Sequence, residues 1–150
     1  MATAQKALRP LPPLLRTLSD EVGVLSAKEG RELSRSIEEV EARTGVRMVM
    51  VIAETVEPEP IEDYAERLAR RWERERSIDL ARSVFVVIAV KDRAMQVSPG
   101  RAVEGVDRAL ARSGLSSDLR PLFRSGRYFE ALMDLTSCIR EIIEKNPPHS

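Results

Sequence analysis

Four carboxylates stand where this chain is expected to turn or to begin a helix: Asp20, Asp79, Glu104 and Asp107. Divalent cations such as calcium or magnesium take several oxygen ligands from carboxylates and carbonyls, so these are the side chains with metal chemistry open to them. In a sheet covered by helices, ligands gather beyond the strand ends, where connecting loops converge. Each carboxylate also has a plain structural use. Asp20 would cap the first helix, and Glu104 or Asp107 would sit at a helix N-terminus facing its positive end. A second set, Arg82, Ser83 and Arg101, carries donors suited to an anion or phosphate. Arginines in a chain this rich in charge are usually solvated or paired, and these two would compete with a cation for nearby carboxylates.

Other chemistry is sparse. The single cysteine, Cys138, allows no intrachain disulfide and no cysteine metal cluster, and its mid-helix place beside an apolar stripe reads as core packing. The single histidine, His149, lies next to the end of the sequence, which argues against a histidine triad or a His-rich metal site. The 24 basic and 24 acidic residues cancel, so no net field draws the chain to nucleic acid or an anionic membrane. Arg far outnumbers Lys, which fits a GC-rich genome or a warm habitat. No apolar run is long enough to span a bilayer. The first residues carry Lys6, Arg9 and prolines instead of a signal peptide's apolar core, so the expected location is the cytoplasm unless the sequence is a piece of a longer envelope protein.

The elements that must position these side chains centre on Ser83 to Gly100. Val84 to Val90 is an unbroken apolar run, as expected for a central strand covered on both faces. Lys91-Asp92-Arg93 is a charged turn, and Ala94 to Ser98 is the return strand of a hairpin, ended by Pro99-Gly100. Val46 to Ala53 is a second buried strand. Ser26 with Glu29 is a capping box opening a helix over 26–43, with Leu33, Ile37 and Val40 on its apolar stripe and Thr44-Gly45 as its stop. Ser19 to Leu25 reads as a turn-rich approach to it. Ile61 to Arg76 is a helix with Tyr64, Ala65, Leu68 and Trp72 inward and five acids and five arginines outward. A short helix is expected over Ala102 to Arg112, a second over Leu115 to Phe123, a break at Ser125-Gly126, and a long final helix over Arg127 to Lys145.

With 150 residues there is one domain large enough for a real core. Residues 1–17 form a Pro-rich arm that Leu11, Leu14 and Leu15 would pin to the surface, 18–145 the domain, and 146–150 a tail. Strand–helix–strand units favour parallel pairing through a right-handed crossover. The fold class is α/β: a Rossmann-like three-layer α/β/α sandwich around a small mixed sheet.

These pieces together resemble the TPM domain family. The resemblance runs from about Leu18 to Ile143. It rests on Asp20 with Val24-Leu25-Ser26, Thr44-Gly45 before a strand, Ile61-Glu62-Asp63-Tyr64-Ala65 with Trp72, the Asp92-Arg93 hairpin, Gly100 with Glu104, and Phe123-Arg124-Ser125-Gly126-Arg127-Tyr128. The family includes thylakoid-lumen proteins of photosystem II repair, some described as acid phosphatases, a receptor auxiliary protein and many bacterial envelope proteins. It implies a metal pocket drawn from the segments of Asp20, the loop before the central strand and Glu104. A metal there would orient a phosphate and activate water, the minimum for a metal-dependent phosphatase.

The departures fall at that pocket. Glu73-Arg74-Glu75 follows Trp72 where relatives have Gly-Ile-Gly. Arg82-Ser83 replaces an Asn-Gly or Asp-Gly pair. The glycine-rich stretch is reduced to Ser98-Pro99-Gly100-Arg101, and Asp107 follows Glu104 sooner than usual. The family's signal peptide and membrane tail have no counterpart here. The expectation is therefore a binding or assembly module with a degenerate acidic pocket, taking calcium, magnesium or no cofactor. Its partner would be a protein, in one form attending membrane-protein complexes in trans. The alternative is a divalent-metal-dependent phosphomonoesterase.

Overall fold

The computed structural model describes residues 7–14, 16–113, 123 and 126–148. Four strands make one sheet in the order β1 (Leu18–Asp20), β2 (Arg47–Ala53), β3 (Ser83–Ala89) and β4 (Ala94–Pro99). The first three are parallel, and β4 returns antiparallel to β3. Helices α1 (Ala27–Thr44), α2 (Ile61–Arg76), α3 (Val106–Ser113) and α4 (Tyr128–Lys145) cover it.

The apolar runs become strands buried on both sides because the side chains alternate across the pleat. Met48, Met50 and Ile52 of β2 join Val84, Val86 and Ile88 of β3 on one face, under α1, α3 and α4. Val49, Val51 and Ala53 join Phe85, Val87 and Ala89 on the other, under α2. This is the expected three-layer α/β/α sandwich.

The helices are fixed by local chemistry as well as by burial. Ser26 Oγ accepts the Glu29 amide at 3.1 Å, and the Glu29 carboxylate accepts the Ser26 amide at 2.9 Å. Such a box contributes about 1 kcal/mol. The helix ends at Gly45, whose φ of 75° places its amide on the Glu41 carbonyl, a left-handed cap that glycine adopts without strain. In α2, Tyr64, Ala65, Leu68 and Trp72 are buried, so the two aromatic residues of this helix serve the core. Arg43 Nε meets Glu144 at 3.2 Å, which joins the C-terminal ends of α1 and α4.

Three expectations change. The approach to the first helix contains a strand: Leu18 to Asp20 pairs with Met50 to Ile52 as β1. Three residues, two of them polar, show no period-2 pattern. The continuous helix expected from Ala102 is broken into a 3-10 turn at Arg101–Val103 and α3 from Val106, with Gly105 between them. The strands step across the sheet in one direction while α1 and α2 cover opposite faces, so the β1–α1–β2 and β2–α2–β3 crossovers have opposite hands.

The arm is docked where it is described. Leu14 is buried and Leu11 half-buried against the α2 face, and Arg67 Nη2 donates to the Arg9 carbonyl at 2.8 Å. The expected helical piece over 115–123 lies, but for Phe123, outside the described residues, as do Leu15, Arg124, Ser125 and His149. The Phe123 and Tyr128 rings stack with centroids 5.3 Å apart.

Candidate functional site

The sheet has two rims, and the candidate residues divide between them. The carboxyl ends of β1, β2 and β3 make one rim. The loop leaving β1 goes to the α1 face and the loop leaving β2 goes to the α2 face, the divergence that opens a crevice in α/β sheets. Asp20 stands on this rim, in register with Ile52 and, through it, with Ile88. Its carboxylate is engaged by its own loop. Oδ1 accepts the amides of Val22 and Gly23 at 3.1 and 2.8 Å, and Oδ2 accepts that of Leu25 at 2.9 Å. The turn needs this acceptor because Gly23, at φ 83°, presents consecutive amides inward. Asp20 therefore organises the β1–α1 loop, and the helix cap expected of it belongs to Ser26.

Beside it, Asp92 of the hairpin turn reaches the β2–α2 loop. Its carboxylate accepts the Thr55 hydroxyl at 2.7 and 2.9 Å and the Val56 amide at 3.0 Å. Lys91 donates its amide to the Glu54 carbonyl at 2.7 Å, so the hairpin and the loop are tied by main chain and side chain together. Glu21, Arg9 and Tyr64 converge where the arm crosses this rim. Burial raises the Glu21 carboxyl above its ordinary range, with Arg9 pulling the other way. Burial, then the Glu21 charge, pushes the Tyr64 hydroxyl up to about 12. Sequence reasoning passed over this rim's tie. The signal was an acid in the hairpin turn and a threonine just past the preceding strand.

Asp79, Arg82, Ser83 and Arg101 stand on the opposite rim, at the amino end of β3, with Glu104 and Asp107 following on from it. Ser83 is five residues before Ile88 in β3, which puts the rims about 16 Å apart along the strands. Asp79 caps the 3-10 turn Leu80–Arg82 by accepting the Ala81 amide at 3.1 Å. Ser83 is buried and donates its hydroxyl to the Leu80 carbonyl at 2.7 Å, so its proton is committed to the turn that precedes it. Gly100 closes against the same turn: its amide donates to the Ser83 carbonyl at 2.7 Å. Arg82, Arg101, Glu104 and Asp107 are exposed. Asp107 Oδ1 accepts the adjacent Arg108 amide at 2.8 Å. Glu73, Asp79, Gly100 and Arg101 line an open groove of ≈ 490 Å³ with Ile78, Leu80 and Ala81.

The four carboxylates thus do not meet. Among the described residues, no group of three or more His, Cys, Asp and Glu side chains is placed to hold a metal ion. Calcium or magnesium takes several oxygens on one centre, and the carboxylates of the described residues are not gathered that way. Arg82, Ser83 and Arg101 share a rim, but Ser83 is turned inward. Burial raises the Cys138 thiol, only partly offset by its hydrogen bond with Ser113, which keeps it protonated and unreactive at neutral pH. No helix among the described residues is long and apolar enough to cross a membrane.

A mixed four-stranded sheet between helical layers, with its acids on separate rims, defines a small three-layer α/β domain. A family model for the TPM domain matches residues 18–142, and the chain belongs to the TPM domain family. Three solution structures share the fold. The N-terminal domain of a protein from P. gingivalis is 22% identical with a TM-score of 0.71, over 90% of this chain and 87% of that one. The BA42 protein of the psychrophilic bacterium Bizionia argentinensis is 17% identical with a TM-score of 0.70, over 87% and 88%. The N-terminal domain of the cg2496 protein of Corynebacterium glutamicum is 10% identical with a TM-score of 0.63, over 97% and 93%. No curated protein matches the chain.

Proposed function

We propose that this TPM domain works as a protein-binding or assembly module in which the acidic positions have structural duties. The observation that carries the reading is the commitment of Asp20, whose two oxygens serve three amides of its own loop, while Asp79 and Ser83 serve the opposite rim. A metal-dependent phosphatase needs its carboxylates on one ion with a place left for phosphate and water. Among the described residues, neither rim gathers three or more such side chains, which supports the reading.

The test is a thermal melt of the chelator-stripped protein with and without millimolar calcium, magnesium and manganese, alongside hydrolysis of p-nitrophenyl phosphate. The expected result is a common, salt-like response to all three cations and no turnover above that of Asp20→Asn. A ligand held only by the folded state raises the melting temperature by several degrees near a hundredfold excess over its dissociation constant. Such a rise for one cation, abolished in Asp20→Asn or Glu104→Ala and accompanied by turnover, would overturn the reading.

A further inference from the structure

The two edges of the sheet are guarded differently. β1 is three residues long and ends in a charge. β4 is six residues, Ala-Met-Gln-Val-Ser-Pro, without a charged side chain in a chain that is 32% charged. Edge strands are usually blunted by shortness, charge, bulges or proline, because a free edge invites another strand. Of these, β4 has only Pro99 at its last position.

The backbone groups that face outward follow from alternation along the ladder. Val90, continuing β3, donates to the Ala53 carbonyl at 3.0 Å, so the even-numbered residues of β3 turn their backbone to β2. The Ser83 carbonyl accepts from Gly100, so the odd-numbered residues turn to β4. In the hairpin register, Ala94, Gln96 and Ser98 then bond to β3, and Met95, Val97 and Pro99 face out. Proline on the outward set costs no ladder bond. Among the described residues, no backbone carbonyl outside the sheet accepts from Met95 or Val97.

We propose that β4 pairs with β4 of a second copy of this chain, antiparallel about a two-fold axis at Gln96, giving a continuous sheet of twice four strands. In that register Met95 lies opposite the partner's Val97 and Val97 opposite the partner's Met95. All four residues face outward, so each pair exchanges both of its hydrogen bonds. Neighbouring symmetric registers are worse. Centring on Val97 sets Met95 against the partner's Pro99, which has no amide hydrogen to give. Centring on Met95 sets Val97 against the partner's Arg93, whose φ of 53° has already left the strand. The edge is therefore self-complementary in one register, with the two Gln96 amides facing across the axis on the α2 side.

The proposal names a partner for the binding-module reading but rests on the strand edge alone. A protein that stays monomeric sinks it and leaves the metal and phosphatase tests untouched. The experiment is sedimentation equilibrium of the full chain over a concentration series at low and moderate salt, with Gln96→Lys, Gln96→Glu and their equimolar mixture. The expected result is reversible dimerisation. Each variant alone, with like charges opposed at the axis, is weakened by about fivefold, and the mixture recovers dimers through a Lys–Glu pair. A monomeric wild type overturns the proposal. So does a dimer indifferent to both variants, or variants whose mixture does not recover. Gln96 is half-exposed, and among the described residues its side chain bonds only to Ser98, at 3.3 Å, so at concentrations where all are monomeric the circular dichroism melts of both variants are expected to match wild type.

Discussion

Gly100 lies so close to Leu80 that a Cβ on it would clash with the Leu80 carbonyl oxygen and lie only 2.5 Å from that of Ala81. Both obstacles are backbone, so neither can swing aside. Gly100→Ala must push the segment after β4 away from the turn before β3, at the point where Gly100 bonds to Ser83. The expected loss is about 2 kcal/mol or more in urea denaturation. Gly105→Ala is the control. It meets nothing within 4 Å, so it is expected to be neutral or stabilising by up to about 1 kcal/mol.

Asp20→Ala is expected to destabilise whether or not a divalent cation is present. It leaves three loop amides without their acceptor, although these lie near solvent and water replaces part of what is lost. A loss of about 1–2 kcal/mol follows, with Asp20→Asn intermediate because one carbonyl oxygen remains. Urea melts of the three proteins in chelator and in calcium check this. An Asp20 effect confined to the calcium series would assign the carboxylate to a metal.

The central strands and the main helices were legible because they carry strong periodic signals: the two-sided apolar run of Val84 to Val90, the stripe from Tyr64 to Trp72, and the Ser26–Glu29 box. The grouping of the acids was not, and the reason is topological. Asp20 read as a loop residue near the first helix. Once Leu18 to Asp20 is a strand parallel to β2 and β3, Asp20 ends a strand while Asp79 precedes one, and parallel strands carry those positions to opposite rims. A three-residue strand is defined by its neighbour's hydrogen bonds, not by its own pattern. The tie between Asp92 and Thr55 was hidden for a related reason: the residues are 37 apart, and only the hairpin's place beside β2 brings them together.

The Tyr64 hydroxyl gives a pH test of the junction between arm, β1–α1 loop and α2. Its folded value of about 12 lies above the ordinary 10.0, so the folded protein keeps a proton that the unfolded chain releases. Stability is therefore unaffected below pH 10 and falls as pH rises toward 12, by on the order of 2 kcal/mol. Tyrosinate absorbance in a Tyr128→Phe background is expected to show no ionisation until well above the ordinary midpoint. Glu21→Gln removes a charge that raises the value, so it should bring the midpoint down. An unchanged midpoint would mean that Glu21 does not face the ring.

The hairpin tie lends itself to a double-mutant cycle. Thr55→Val removes a hydroxyl that donates to Asp92 while keeping its shape. Asp92→Ala removes the acceptor for both that hydroxyl and the Val56 amide. The Asp92 change should cost more, about 1–3 kcal/mol, because it strands a backbone amide as well as the hydroxyl. Once Asp92 is gone, Thr55→Val should cost little, since the hydroxyl has lost its partner. Its own bond to the Glu57 amide, at 3.1 Å, is the remaining term. The expected coupling is about 1 kcal/mol in urea denaturation. Strict additivity would mean that the hairpin and the β2–α2 loop are held by the backbone bond from Lys91 to Glu54 and not by these side chains.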